Sequence, residues 1–145
     1  MDSDTLHMLY TEHHRQNTAR REKIHGITER TVGVLVIIGG WLLISDSPLS
    51  ESLRWVLVFQ VATLAVAACY SVYMNNRSYL RTAQVIQKLN TALRLYEPGA
   101  FVPNEPLYPP PSESFGAMGV LDGAVPHWVT ILSISAACIL AAWLR

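Results

Sequence analysis

Residues 55–73 read WVLVFQVATLAVAACYSVY, a run of 19 residues without a single formal charge. A bilayer core about 30 Å thick needs roughly 20 helical residues, because a helix rises about 1.5 Å per residue. The run begins with Trp55 and ends with Tyr73, and such amphipathic aromatic side chains favour the headgroup interface. The stretch therefore predicts a transmembrane helix that is anchored at both ends.

Two further uncharged runs are present in the 145 residues: residues 31–45 read TVGVLVIIGGWLLIS, and residues 128–144 read WVTILSISAACILAAWL. The first spans only about 22 Å, but it becomes long enough if the Arg30 side chain reaches out to the headgroups. A buried helix of a soluble protein is the alternative for any one run, and three runs in one short chain argue against it. The sequence predicts an all-α membrane protein with a transmembrane hairpin over 31–74 and a third transmembrane helix over 128–145.

The orientation in the membrane follows from Lys and Arg, which are enriched on the cytoplasmic side. Five basic residues precede the first run and four follow the second, whereas the short connection of residues 46–54 holds only Arg54. We therefore expect the N-terminus and the long connection in the cytoplasm and the C-terminus outside. No cleavable signal is evident, so the first transmembrane helix is expected to serve as the targeting signal. Equal numbers of basic and acidic residues give a net charge of zero, which implies no nucleic-acid partner.

Two segments outside the membrane are predicted to be helical. Residues 75–96 carry a heptad stripe of apolar side chains at alternating spacings of three and four. The expected interface residues of this stripe are Tyr79, Ile86, Leu89, Leu93 and Tyr96. Residues 1–30 repeat the spacing more weakly, and the simplest arrangement packs them antiparallel against 75–96 as a cytoplasmic helical hairpin stalk. The alternative for 1–30 is a surface helix that rests on lipid headgroups. A bend in the second helix is expected at Asn75 and Asn76.

Residues 97–127 are rich in proline and glycine. Because proline enforces extended or polyproline segments, this stretch predicts a cytoplasmic loop that lies against the stalk. Two overlapping PxxP matches between Pro103 and Pro109 make an SH3-type ligand the alternative, but proline clusters generate such matches by chance.

The apolar runs contain no Asp, Glu, Lys, Arg or His, so they lack the side chains that usually carry out proton transfer or bind ions. Ionisable residues within a membrane mark proton relays and ion paths, so their absence argues against a pump, a transporter or a membrane enzyme. His7, His13, His14 and His25 lie in the N-terminal segment, but no two of them have the three- or four-residue spacing of metal ligands on one helix face. We predict no catalytic, cofactor-binding or metal site. A pH-sensitive interface is the alternative use of these histidines.

Small residues give the strongest functional signal in the apolar runs, because they let helix backbones approach closely in lipid. The predicted helix-packing residues are Gly33, Gly39, Gly40, Thr63, Ala67, Ser71, Ser133, Ala137 and Ala141. They suit either a compact three-helix bundle or contacts between copies. Cys69 and Cys138 differ in membrane depth by roughly 9 Å, too far for a disulfide, so both are interpreted as small packing residues.

The order of the segments carries a family resemblance. A polar N-terminal helix with basic residues from Arg15 to Lys23, a membrane hairpin and a cytoplasmic helix together resemble SLATT-type proteins. Those are small bacterial membrane proteins regarded as effectors in nucleotide-signalled defence. Residues 89–99 (LNTALRLYEPG) and 106–109 (PLYP) also resemble uncharacterised small bacterial membrane proteins. The resemblance implies a bacterial inner membrane, but the third transmembrane helix departs from a two-helix hairpin, and no functional residue is carried over.

Taken together, these features predict a non-enzymatic integral membrane protein that acts by helix-mediated assembly. In one version it is a self-assembling effector that perturbs the membrane, with the lipid bilayer and further copies as its partners. In the other version it is an accessory subunit that stabilises a larger membrane protein complex. Both versions are consistent with the sequence.

Overall fold

The computed structural model describes residues 3–45, 48–95, 97–99, 103, 104, 106 and 117–144. In this part of the chain there are three α-helices and no strand: α1 spans Ser3–Ile44, α2 spans Glu51–Ala92 and α3 spans Ala117–Trp143. All three are long and apolar enough to cross a membrane. The prediction of an all-helical chain with three helices able to cross a membrane is thus confirmed for the described residues.

The first helix, α1, joins the polar N-terminal segment to the first apolar run in 42 residues without a break. It is about 63 Å long, roughly twice the thickness of a bilayer core. Around the change from polar to apolar sequence, the hydroxyl groups of Thr28 and Thr31 donate to the carbonyl oxygens of Ile24 and Ile27, at 3.1 and 2.8 Å. The predicted boundary at residue 30 therefore separates two environments along one helix and not two helices.

The second helix, α2, is also 42 residues long. Ser50 caps its N-terminus, where its hydroxyl oxygen accepts a hydrogen bond from the backbone N–H of Leu53 at 3.4 Å. Such a cap satisfies one of the backbone donors that a helix start leaves unpaired. The helix continues through Asn75 and Asn76, so no helix break is found at the place where the sequence predicts a bend.

The end of α2 lies at Ala92, four residues before the predicted end at residue 96. Arg94 takes the left-handed conformation, with φ of 57°. The N–H of Leu95 then donates to the carbonyl of Asn90, and the N–H of Arg94 donates to that of Thr91, both at 3.0 Å. These two bonds form a Schellman motif, which usually has glycine at the left-handed position.

The third helix, α3, begins at Ala117, eleven residues before the predicted start at residue 128. The predicted loop over 97–127 is therefore helical in its last eleven residues, which corrects that prediction. Pro126 lies inside the helix, and Ala124 is fully buried against the other helices. Gly119 and Gly123 also lie in this part of the helix, and each lowers its helix propensity by about 1 kcal/mol. The packing of α3 against α1 and α2 opposes this cost. Of the remainder of the predicted loop, the structure describes only residues 97–99, 103, 104 and 106.

The three helices pack against one another in all three pairs. Their buried apolar side chains form two clusters, the first made of Ile24, Ala65, Ala68, Val72, Ala124 and Ile131, and the second made of Leu35, Val61 and Cys138. Many of these residues are small, so the helices meet through close backbone approach, as is typical of bundles in lipid.

Aromatic contacts between α2 and α3 lie at both ends of the bundle. At one end the rings of Trp55 and Trp143 meet edge to face at 5.3 Å, with the Arg54 guanidinium 5.5 Å from the centroid of the Trp143 ring. At the other end the ring centroids of Tyr73 and Trp128 are 6.4 Å apart. Along α2 these contacts are separated by about 27 Å, close to the thickness of a bilayer core.

Candidate functional site

The predicted small-residue ladder of α2 does not lie inside the bundle. The stripe that α2 buries consists of Val61, Ala65, Ala68 and Val72. Thr63 and Ala67 are exposed on the opposite face, and Ser71 is half-buried. The hydroxyl groups of Thr63 and Ser71 donate within their own helix, to the carbonyl oxygens of Phe59 and Ala67 at 2.8 Å. Because these hydroxyls are satisfied, this face can meet lipid or another helix, and its use between copies stays a prediction.

Five of the predicted helix-packing residues meet in one groove on the outside of the bundle, between α1 and α3. They are Gly39, Gly40, Ser133, Ala137 and Ala141. This α1–α3 groove encloses about 700 Å³ and is otherwise lined by apolar side chains and by Cys138. Gly33 does not line it, and a Cβ atom placed on Gly33 would meet no atom within 4 Å. The side chains of the described residues leave the groove open.

The floor of the α1–α3 groove is set by a close approach of the two helices. A Cβ atom on Gly39 would lie 3.2 Å from Sγ of Cys138, whereas one on Gly40 would meet nothing within 4 Å. The Cys138 thiol donates to the carbonyl oxygen of Leu35 at 3.1 Å. Gly39 is therefore needed for packing within the chain, and Gly40 only lines the open groove. Both cysteines, Cys69 and Cys138, are free thiols, as their different depths require.

A second apolar surface lies on α2. Phe59, Val66 and Tyr70 project from it with exposed fractions of 73, 69 and 63%. Together with Ala62, Thr63 and Ala67 they line a shallow concavity of about 470 Å³. We call these six residues the α2 outer face. In the helical repeat this face is opposite to the buried stripe of α2, so it looks away from both α1 and α3.

Outside the apolar runs, the polar part of α1 remains in contact with the end of α2. The guanidinium of Arg20 donates to the carbonyl oxygen of Ser78 at 2.7 Å and to the hydroxyl oxygen of Thr82. Four of the predicted stalk-interface residues, Tyr79, Ile86, Leu89 and Leu93, are half-buried, and Tyr96 lies outside the described residues. Thr82 is the polar residue of the heptad stripe. It is buried, and its hydroxyl oxygen accepts the hydrogen bond from Arg20 of the facing helix.

A cavity built from all three helices lies near the end of the apolar runs that carries Tyr73 and Trp128, and we call it the polar cavity after the polar side chains in its largely apolar wall. It encloses about 460 Å³. Its lining residues are Arg21, Ile24 and His25 of α1, Asn76 and Tyr79 of α2, and Gly123, Pro126 and His127 of α3. The cavity therefore holds one permanent cation, two imidazoles, an amide and a phenol, and none of these lining residues is acidic.

The hydrogen bonds of Thr28 fix the tautomer of His127. The Thr28 hydroxyl is 3.1 Å from the Ile24 carbonyl oxygen and 2.9 Å from Nδ1 of His127. A hydroxyl has one proton, and a carbonyl oxygen can only accept. The Thr28 hydroxyl therefore donates to Ile24, and Nδ1 of His127 must carry the proton that it donates to Thr28. In the neutral ring, Nε2 is left as an acceptor. The ring of His25 meets that of His127 edge to face at 5.0 Å.

A close backbone approach supports the cavity on its other side. A Cβ atom on Gly123 would lie 2.9 Å from Oδ1 and 3.2 Å from Nδ2 of Asn76. Asn76 is 4% exposed, and the indole N–H of Trp128 donates to the Cys69 carbonyl oxygen at 3.1 Å. This part of α3 is thus held against α2 by a contact that leaves no room for a Cβ atom on Gly123 unless Asn76 shifts, and by the hydrogen bond of Trp128.

The sequence does not predict the polar cavity. Four histidines lie together in the N-terminal segment, whereas His127 stands apart and directly precedes the third apolar run. The pairing of His25 with His127 joins positions 102 residues apart, and no local pattern indicates it. The one available signal is a histidine next to Trp128, at the level where a membrane helix meets the headgroups.

Within the described part of the chain, no group of three or more His, Cys, Asp or Glu side chains is placed to hold a metal ion. Comparisons with protein families, curated proteins and solved structures give no match to this chain. The fold and the site are therefore interpreted from their own chemistry.

Proposed function

We propose that this chain is a non-enzymatic integral membrane protein that works by helix-mediated assembly with further copies of itself. The observation that carries the proposal is the α1–α3 groove, in which five small residues of two helices line an open apolar cavity of about 700 Å³. In lipid, such close-packing surfaces drive association, because dispersion contacts replace the hydrophobic effect.

The occupant of the groove in this proposal is the α2 outer face of a second copy. Since α2 packs on both α1 and α3, its outer face and the α1–α3 groove lie on opposite sides of the bundle. Phe59, Val66 and Tyr70 project from that face, and they supply the bulk that a groove lined by glycine and alanine lacks. A contact between two different surfaces is heterologous, so it produces rings or filaments and not a closed dimer.

The proposed topology places the N-terminus in the cytoplasm and the C-terminus outside, in a bacterial inner membrane. Its support is the distribution of Lys and Arg and, for the membrane, the resemblance to SLATT-type proteins. In this topology the polar part of α1 and the end of α2 form the cytoplasmic hairpin stalk. The bond network of Arg20 with Ser78 and Thr82 supports that pairing of the two segments.

The fuller version of the proposal is a self-assembling effector that perturbs the membrane when its stalk is rearranged. Two of the three hydroxyl groups of α3 already donate within their own helix, Ser135 to Ile131 at 2.8 Å and Thr130 to Pro126 at 2.9 Å. A wet pore lined by these groups is therefore disfavoured. Perturbation would arise from packing defects or bilayer deformation around the assembly.

The alternative function is that of an accessory subunit, in which the same groove receives a helix of a different membrane protein. The two functions differ in what fills the groove, and the experiment that tests the proposal is native mass spectrometry of the full chain extracted in a mild detergent. We expect a homo-oligomer of defined size. A mass that contains other polypeptides in fixed ratio, or a persistent monomer, would contradict self-assembly.

Two neighbouring substitutions make this test specific to the groove. Ala137→Leu places a large side chain in the α1–α3 groove, whereas Ala136→Leu places the same side chain at an exposed position outside it. We expect the oligomer to be lost in the first variant and retained in the second. Equal effects of both substitutions would show that the groove is not the contact.

Membrane perturbation is tested separately, by dye release from vesicles that contain increasing amounts of the assembled protein. Release that rises with assembly and is absent in Ala137→Leu supports the effector version. Vesicles that stay tight at high occupancy would remove the perturbing step, whatever the state of assembly.

A further inference from the structure

We propose that the polar cavity at the Tyr73–Trp128 end of the bundle is a binding site for a phosphate group. This inference goes beyond the assembly function and does not depend on it. It rests on the residues that three separate helices bring to one cavity of about 460 Å³, within the usual size of a small-ligand pocket.

The first argument is the charge of the lining. Arg21 is a cation in the cavity wall, and it makes no ion pair with an acidic side chain among the described residues, where the ion pairs are Arg15–Glu12 and Arg94–Glu97. Its neighbour Arg20 differs, because it is bound to the facing helix. A guanidinium with free donors favours the planar, paired recognition of phosphate or carboxylate oxygens.

The second argument is the supply of further donors. Tyr79 lines the cavity beside the two imidazoles, and phenol and protonated imidazole groups donate hydrogen bonds. A phosphate group presents several strong acceptor oxygens, which this set can satisfy from three sides. A cationic ligand would find no carboxylate among the described lining residues.

The third argument concerns protons. Since Nδ1 of His127 donates to Thr28, its Nε2 can donate to an anion only when the ring is protonated. The groups that face His127 are Arg21 and His25 of α1 and Tyr79 of α2. All of these are neutral or positive, so none of them offsets a positive charge on the His127 ring in the empty cavity. A bound phosphate would offset this charge and would take up a proton with it.

The location of the cavity leaves two sources for the phosphate. It lies beside Tyr73 and Trp128, side chains that favour the level of lipid headgroups, so the phosphate of an anionic lipid can reach it. On the proposed topology this end of the bundle also faces the cytoplasm, where a soluble phosphate compound can enter. The chemistry of recognition is the same for both.

The test uses the purified full chain in a mild detergent with two probes. Inorganic phosphate is titrated by calorimetry at about pH 6 and about pH 8, and phosphatidic acid or phosphatidylcholine is added before native mass spectrometry. We expect selective retention of phosphatidic acid, binding of inorganic phosphate, or both, and tighter binding at the lower pH, because the His127 ring must take up a proton before its Nε2 can donate to the anion. Lipid retention without phosphate binding identifies a headgroup site, and phosphate binding without lipid retention identifies a soluble ligand.

The variants Arg21→Gln and His127→Gln should each weaken binding about tenfold or more, as expected for a lost charge-assisted hydrogen bond. Lys23→Gln is the matched control, because it removes the same charge from an exposed position outside the cavity, and it should change affinity less than twofold. Helical circular dichroism and the oligomer mass verify that each variant is folded, and they separate this outcome from a failure of assembly. Absence of binding by the wild-type chain, or equal binding by all variants, would overturn the proposal.

Discussion

Replacement of Gly123 by alanine tests the contact that holds the beginning of α3 against α2. The added Cβ would lie 2.9 Å from Oδ1, 3.2 Å from Nδ2 and 3.4 Å from Cγ of Asn76. Ordinary carbon contacts begin near 3.5 Å, so the whole amide, and not just one end of it, would have to retreat by about 0.5 Å. Asn76 is only 4% exposed, which leaves it little room to do so.

The magnitude is set by two opposing effects. Overpacking of a tightly filled site costs about 1–3 kcal/mol, whereas Gly→Ala in a helix interior gains about 1 kcal/mol of helix propensity. Gly26→Ala in α1 is the matched control, because a Cβ there would meet nothing within 4 Å and only the gain remains. The difference between the two variants isolates the steric cost, and we expect Gly123→Ala to be less stable than Gly26→Ala by about 1–3 kcal/mol.

The assay is thermal unfolding of each variant in the same detergent, followed by helical circular dichroism. Asn76→Ala, alone and combined with Gly123→Ala, completes a double-mutant cycle, and removal of the amide should relieve most of the steric cost, which appears as non-additivity. Equal unfolding temperatures for Gly123→Ala and Gly26→Ala, or strict additivity in the cycle, would refute the reasoning. Either result would mean that α3 begins with a looser contact than the distances imply.

Three further predictions concern other contacts. Arg94→Gly should stabilise the chain by about 0.5–1 kcal/mol in thermal unfolding, since the residue has φ of 57° and glycine adopts that conformation without strain; a loss of stability would contradict the Schellman assignment. Gly39→Ala should destabilise relative to Gly33→Ala, because only the former meets Sγ of Cys138, at 3.2 Å, and equal effects would show that the helices can separate freely. Thr28→Val should cost about 1 kcal/mol by removing the acceptor of the α3 imidazole, and unchanged unfolding would show that this bond contributes nothing.

The three membrane-spanning helices could be predicted because a bilayer imposes a demand that single sequences express directly. A span must be uncharged over about 20 residues, and residues 55–73 satisfy it with aromatic anchors at both ends. The ends of the helices are harder to predict from sequence. The end of α2 is followed by Arg94 in the left-handed conformation, a position at which glycine is the usual residue. The beginning of α3 runs through Gly123 and Pro126, residues that indicate a loop when the packing partner cannot be seen.

The polar cavity could not be predicted for a different reason. Its two imidazoles, its guanidinium and its amide come from three helices, and only the packing of these helices sets their distances. Gly123 is informative in retrospect, because the close approach of Asn76 to its backbone brings Pro126 and His127 to the same level. In the sequence alone that glycine is one of several in a segment that reads as a loop.

Which face of a membrane helix turns inward is also hidden from sequence, because lipid and protein interior are equally apolar. α2 illustrates this, since Ala65 and Ala68 are buried while Ala67 is exposed beside the large Val66 and Phe59. The two faces do not differ in hydrophobicity. They differ in residue size and in whether their residues already make contacts within the chain. The buried alanines already serve contacts within the chain, so they cannot serve contacts between copies. The contacts of α2 with α1 and α3 use one face of the helix. The small residues on its other face, and those that line the open α1–α3 groove, are the features on which the proposed contact between copies rests.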